Sequence, residues 1–81
     1  MTIPKGLSAT ERQAWINAQA AVIDIKNNFG RSTPTAKKVL TASWIKMRRA
    51  AEILGITLPS QSFEESYSSA LHLSREMNFL A

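Results

Sequence analysis

The stretch Thr33–Gly55, TPTAKKVLTASWIKMRRAAEILG, carries both a start and a stop signal for one long helix. Thr33 can accept a hydrogen bond from an early backbone N–H, and Pro34 suits the first helical position, where its missing N–H and fixed φ cost nothing. Gly55 follows Ile53 and Leu54, where a left-handed residue ends the last turn. At about 100° per residue, Ala36, Leu40, Trp44, Met47, Ala51 and Leu54 share one stripe, widened on one side by Val39, Ala42, Ala50 and Ile53. That stripe is expected to be buried. The opposite arc holds Lys37, Lys38, Thr41, Arg48, Arg49 and Glu52, with Ile45 at its middle.

Upstream, Ser8 and Glu11 match a capping box, which predicts that a first helix begins there. Within it Trp15, Ala18, Val22, Ile25 and Phe29 form a heptad seam with Ala14 and Ala21 on its shoulder, and Asn28-Phe29-Gly30 closes it. A second apolar strip, Ile16, Ala20 and Ile23, lies on nearly the opposite side, separated by Arg12, Gln19 and Lys26. Two strips need two partners: either helices two and three flank the first, or one strip pairs with a second copy of the chain. Arg31-Ser32-Thr33 is short enough to make helices one and two an antiparallel hairpin.

Downstream, Ile56-Thr57-Leu58-Pro59-Ser60 cannot continue the helix, and Ile56 and Leu58 are expected to plug the end of the core. Ser62 with Glu65 reads as a second capping box, which starts a third helix near Phe63. Its predicted buried face is Phe63, Tyr67, Ala70, Leu71, Leu73, Met77 and Leu80, with Glu65, Ser68, His72, Arg75 and Glu76 outward. The fold expected is all-α: a compact three-helix domain with antiparallel neighbouring helices, near residues 9–29, 34–54 and 62–78. Residues 1–81 form a single domain, with 1–7 an irregular N-terminal arm.

Eighty-one residues allow one small core, and the absence of cysteine excludes disulfide staples and thiolate metal sites. No signal-peptide pattern and no membrane-spanning run is visible, so a soluble, cytoplasmic protein without membrane contact is expected. The net charge of +4 and isoelectric point near 10.0 favour an anionic partner. The charge is also polarised. Arg31, Lys37, Lys38, Lys46, Arg48 and Arg49 face only Glu52 in the middle of the chain, whereas Glu64, Glu65 and Glu76 outnumber Arg75 at its end.

Arg49-Ala50-Ala51-Glu52-Ile53-Leu54-Gly55-Ile56 resembles the turn that ends the first helix in Fis-type and other helix-turn-helix domains, where alanines permit close packing and glycine permits the turn. The resemblance covers these eight residues and implies DNA binding. The chain departs from that pattern immediately afterwards: Thr57-Leu58-Pro59 intervenes, and the next helix opens with Glu64 and Glu65, which repel phosphates. If nucleic acid binds, the basic second helix is therefore the expected contact.

His72, the only histidine, shares a face with Glu65 and Glu76, a pattern that a solvated helix surface also produces. With no nucleophile constellation, glycine-rich phosphate loop or zinc spacing, no catalytic residue, metal or cofactor is expected. Trp15 and Trp44 fall on seams as core residues, although Trp44, next to Lys37 and Arg48, could also stack on a base.

Two function classes fit. One is a non-enzymatic regulatory protein that binds nucleic acid, expected to be DNA, with Arg31, Lys37, Lys38, Arg48 and Arg49 on phosphates beside Thr41 and Ile45. The other is a protein-binding module or inhibitor, of the kind mobile elements encode, that docks the same helix, centred on Ile45, onto an acidic protein surface. Charge density favours the first and Ile45 the second, and the balance leans to nucleic acid. Self-association as a homodimer through Ile16, Ala20 and Ile23 is a separate expectation.

Overall fold

Each helix boundary is set by a small number of backbone hydrogen bonds. In the computed structural model, which describes residues 3–60 and 62–77, α1 spans Ala9–Asn28 and begins with the expected capping box. The Ser8 hydroxyl accepts from the Glu11 N–H at 3.1 Å, and the Glu11 carboxylate accepts from the Ser8 N–H at 3.0 Å. Hydrogen bonding by the Ser8 backbone, then by its hydroxyl, favours the ionised carboxylate and lowers the Glu11 pKa.

The far end of α1 differs from a simple left-handed cap. Phe29 is extended (φ −64°, ψ 131°), Gly30 has φ +88°, and the Arg31 N–H donates to the Asn28 carbonyl at 3.1 Å. This is a type II turn, which needs positive φ at its third residue, and Gly30 supplies it. α2 (Pro34–Leu54) comes next, with the Thr33 hydroxyl accepting from the Ala36 N–H at 3.2 Å. It ends in a Schellman motif: Gly55 is left-handed (φ 71°, ψ 24°), its N–H donates to Glu52, and the Ile56 N–H donates to Ala51 at 2.9 Å.

The third helix starts later than the sequence suggests. Phe63–Glu65 form a 3-10 turn, and α3 runs over Ser66–Glu76. The Ser62 hydroxyl accepts from the Glu64 N–H at 3.2 Å, while the Glu65 N–H donates to the Ser62 carbonyl at 3.1 Å. The tighter 3-10 geometry thus takes up the Glu65 N–H that a capping box would have used, the Ser62 N–H donates to the Ser60 hydroxyl at 3.0 Å, and no side chain caps α3. Asn78, Phe79 and Leu80, with the expected core role of Leu80, lie outside the described residues.

α1 and α2 pack antiparallel along their length, whereas α3 packs mainly on α1 and touches α2 little. The centre of the α1 face is smaller than expected. Ala14, Ala18, Ala21, Val22 and Ile25 are all buried, Trp15 only partly, and Phe29 stays exposed, its ring 5.4 Å from that of Tyr67. Alanines at the crossing allow α2 to approach closely, which moves the larger side chains to the edge.

α3 shows the same displacement. Ser66, Ser69 and Ser74 are fully buried beside Ala70, Leu73 and Met77, while Phe63 is exposed and Leu71 is half-buried. Two of these serines bond to carbonyls, Ser74 to Ala70 at 2.9 Å and Ser69 to Ser60 at 3.4 Å. Leu58 is buried and Ile56 packs against the core, which closes the end of the α1–α2 pair.

Neither α2 nor α3 covers the second strip of α1. Ile16 is 46% and Ile23 48% exposed, and Ala20 is exposed between them. Among the described residues no helix is long and apolar enough to cross a membrane.

Candidate functional site

Because α3 lies against α1, the outer arc of α2 is left open along its length. Lys37, Lys38, Thr41, Ile45, Arg48, Arg49 and Glu52 are all exposed, and so is Arg31 in the turn before the helix. The arc forms for the reason the sequence implies: Ala36, Leu40, Trp44, Met47 and Ala51 are buried opposite it, and the helix period fixes what remains. Lys37 and Lys38 stand near one end of the arc and Arg48 and Arg49 near the other, eleven residues or about 16 Å apart along the axis.

Two contacts organise the arc. The Arg48 guanidinium lies 5.5 Å from the centroid of the Trp44 ring, and that ring meets Phe63 edge-on at 6.5 Å. Trp44 is 6% exposed, so it supports Arg48 from below and is not a free stacking platform. The Thr41 hydroxyl donates to the Lys37 carbonyl at 3.0 Å, which turns its proton back into the helix.

Ile45 is 49% exposed and stands on the ridge between two hollows. One, of about 680 Å³, lies between α1 and α2: Ala14, Ala42 and Ala50 contribute small apolar surface, Gln13 and Asn17 line it from α1, and Ile45, Lys46, Arg49 and Ile53 line it from α2. Its lining includes no carboxylate. The Gln13 side-chain N–H donates to the Asn17 amide oxygen at 3.0 Å along that wall. The other hollow, of about 450 Å³, is bounded by Ile45, Arg48, Arg49, Glu52 and the segment Ile56–Leu58.

Sequence patterning does not single out Lys46 or Ile53 for this surface. Ile53 belongs by its spacing to the buried stripe, yet it is 47% exposed, because α1 meets α2 through Ala50 and Ser43 and leaves its flank uncovered. The signal that could have found both is the angular position: each lies within about 100° of Ile45 on the same flank.

The helix-turn-helix geometry does not form. A helix-turn-helix joins its two helices by a turn of 3–4 residues, whereas here residues 55–65 separate α2 from α3, which rests on α1. Glu64 and Glu65 are exposed in that connection. His72 is half-buried, and among the described residues no three His, Asp or Glu side chains gather as a metal site.

No protein-family model, no curated protein and no solved structure matches this chain.

Proposed function

We propose that this chain is a non-enzymatic regulatory protein that binds duplex DNA by laying α2 against the major groove. The observation that carries this is the arrangement of the cations, two at each end of an uncovered helix face, with Thr41 and Ile45 between them and Lys46 on the flank beside Ile45. The major groove is about 12 Å wide and admits an α-helix, so a helix crossing it brings its ends to the phosphates of the two walls. Lys37 and Lys38 then meet one wall and Arg48 and Arg49 the other, with Arg31 reaching the backbone beyond the helix start. Glu52 is the one acid on the arc and lies past the arginines, away from the centre.

A specific observation favours a second reading. The hollow beside Ile45 is apolar at Ala42, Ile45 and Ile53, cationic at Lys46 and Arg49, and has no acid in its lining. Those features suit an acidic protein surface with an apolar centre.

Fluorescence anisotropy with a labelled mixed-sequence duplex separates the two. DNA binding requires that replacing Lys37, Lys38, Arg48 and Arg49 together by alanine abolishes association, while Ile53→Asp leaves it largely intact. An unmodified protein that fails to bind duplex even at low salt overturns the DNA reading.

A further inference from the structure

Resting on that DNA reading, we infer that Ile45 and the methyl group of Thr41 read the 5-methyl of thymine on the floor of the major groove. Between the two cation pairs stand Thr41 and Ile45, one helical turn apart and both exposed. Ile45 has no polar side-chain atom. Thr41 has its hydroxyl proton committed to the Lys37 carbonyl at 3.0 Å, so it offers a methyl and an acceptor but no free donor.

The base edges in the major groove present hydrogen-bond donors and acceptors at every pair, and one apolar group, the thymine methyl. An aliphatic centre set against guanine or cytosine covers polar atoms without satisfying them, which is costly. Set against thymine, it covers a methyl and both sides lose water. The cation pairs hold the helix in place without regard to sequence, and the centre discriminates. Each methyl removed from water strengthens binding by about four-fold.

The test uses two duplexes of alternating adenine and thymine, identical except that deoxyuridine replaces thymidine in one, so that only the 5-methyl is absent. Binding is followed by anisotropy at fixed salt for the unmodified protein, Ile45→Ala, Thr41→Ser (which deletes the methyl) and Thr41→Val (which keeps it), each first checked for helicity by circular dichroism. The expected result is several-fold tighter binding of the thymidine duplex by the unmodified protein and by Thr41→Val. Thr41→Ser reduces that preference and Ile45→Ala reduces it further, with the salt dependence unchanged.

Salt-dependent binding that is equal on both duplexes overturns the inference and leaves the DNA reading standing. A preference that Ile45→Ala leaves at full size also overturns it, since the methyl is then read elsewhere. No binding to either duplex removes the DNA reading and this inference together. Tighter binding to double-stranded RNA does so as well, because the major groove of RNA is too narrow for side chains to read.

Discussion

Removing the cations of α2 and measuring the salt dependence of binding tests the phosphate contacts quantitatively. Arg31, Lys37, Lys38, Arg48 and Arg49 are exposed and belong to the turn and arc proposed to meet the duplex. Five phosphate contacts, each releasing about 0.9 counterion from B-form DNA, give a slope of log K against log salt near −4.5. Affinity should then fall about 500-fold between ~50 and ~200 mM salt. Lys38→Ala and Arg49→Ala should each weaken binding by a similar factor on any sequence and flatten the slope by about 0.9.

Alanine is the best helix former and these side chains are exposed, so α2 should survive the changes. Arg48→Ala is the exception to watch, because its guanidinium covers Trp44; about 0.5–1 kcal/mol of stability should be lost with it. Anisotropy titrations at four or more salt concentrations give the slope directly. A slope near zero for the unmodified protein, or one that the removal of Lys37, Lys38, Arg48 and Arg49 together leaves unchanged, refutes the phosphate contacts assigned to α2.

The remaining predictions concern the fold. Ser8→Ala should cost about 1 kcal/mol, measured by urea unfolding at neutral pH, because it removes one half of the α1 capping box. The folded pKa of Glu11 lies below its unfolded value, so the stability it contributes is present above the unfolded value and is lost as the pH falls through the lowered one; Glu11→Gln should show a smaller loss of stability on acidification than the unmodified protein. Gln19 is 3% exposed and its side-chain nitrogen has no hydrogen-bond partner; Gln19→Met should raise stability by about 1 kcal/mol, and a drop of that size would show that the amide is satisfied in solution. Self-association through Ile16, Ala20 and Ile23 should appear in sedimentation as a concentration-dependent dimer that Ile16→Lys with Ile23→Lys converts to a folded monomer.

The cap chemistry of α1 and α2 is legible in the sequence because it is local: Ser8 with Glu11, Thr33 with Pro34, and Gly55 each need only residues within one turn. The start of α3 is not, since Ser62 can cap either an α-helix or a 3-10 turn and the choice depends on how the segment packs. Apolar spacing also misplaces the centres of two faces. It ranks Trp15, Phe29 and Phe63 above Ala14, Ala21, Ser66 and Ser69, whereas close helix packing selects the small residues for the centre. Charge on α2 is legible as a pattern; that the face stays open depends on α3 choosing α1, a tertiary preference that no local spacing records.

The two uncovered surfaces also constrain each other. On α1, the face toward α2 is centred on Ala14, Ala18, Ala21 and Ile25, and Ile16, Ala20 and Ile23 lie roughly half a turn away from it. On α2, the basic arc lies opposite the residues buried against α1. The order through the molecule is therefore basic arc, α2, α1, apolar strip. A two-fold dimer formed through the strip places the two basic arcs at opposite ends, pointing apart, unlike dimers whose reading helices enter successive major grooves of one duplex. Under the proposed function, each protomer of such a dimer binds DNA by itself, and the dimer should bridge two duplexes. The monomeric variant carrying Ile16→Lys and Ile23→Lys should retain the per-protomer affinity or gain slightly from the added charge, while losing the ability to bring two labelled duplexes together in an energy-transfer assay. A steep loss of affinity in that folded monomer would show that both arcs act on one duplex, and the arrangement derived from the helix faces would be wrong.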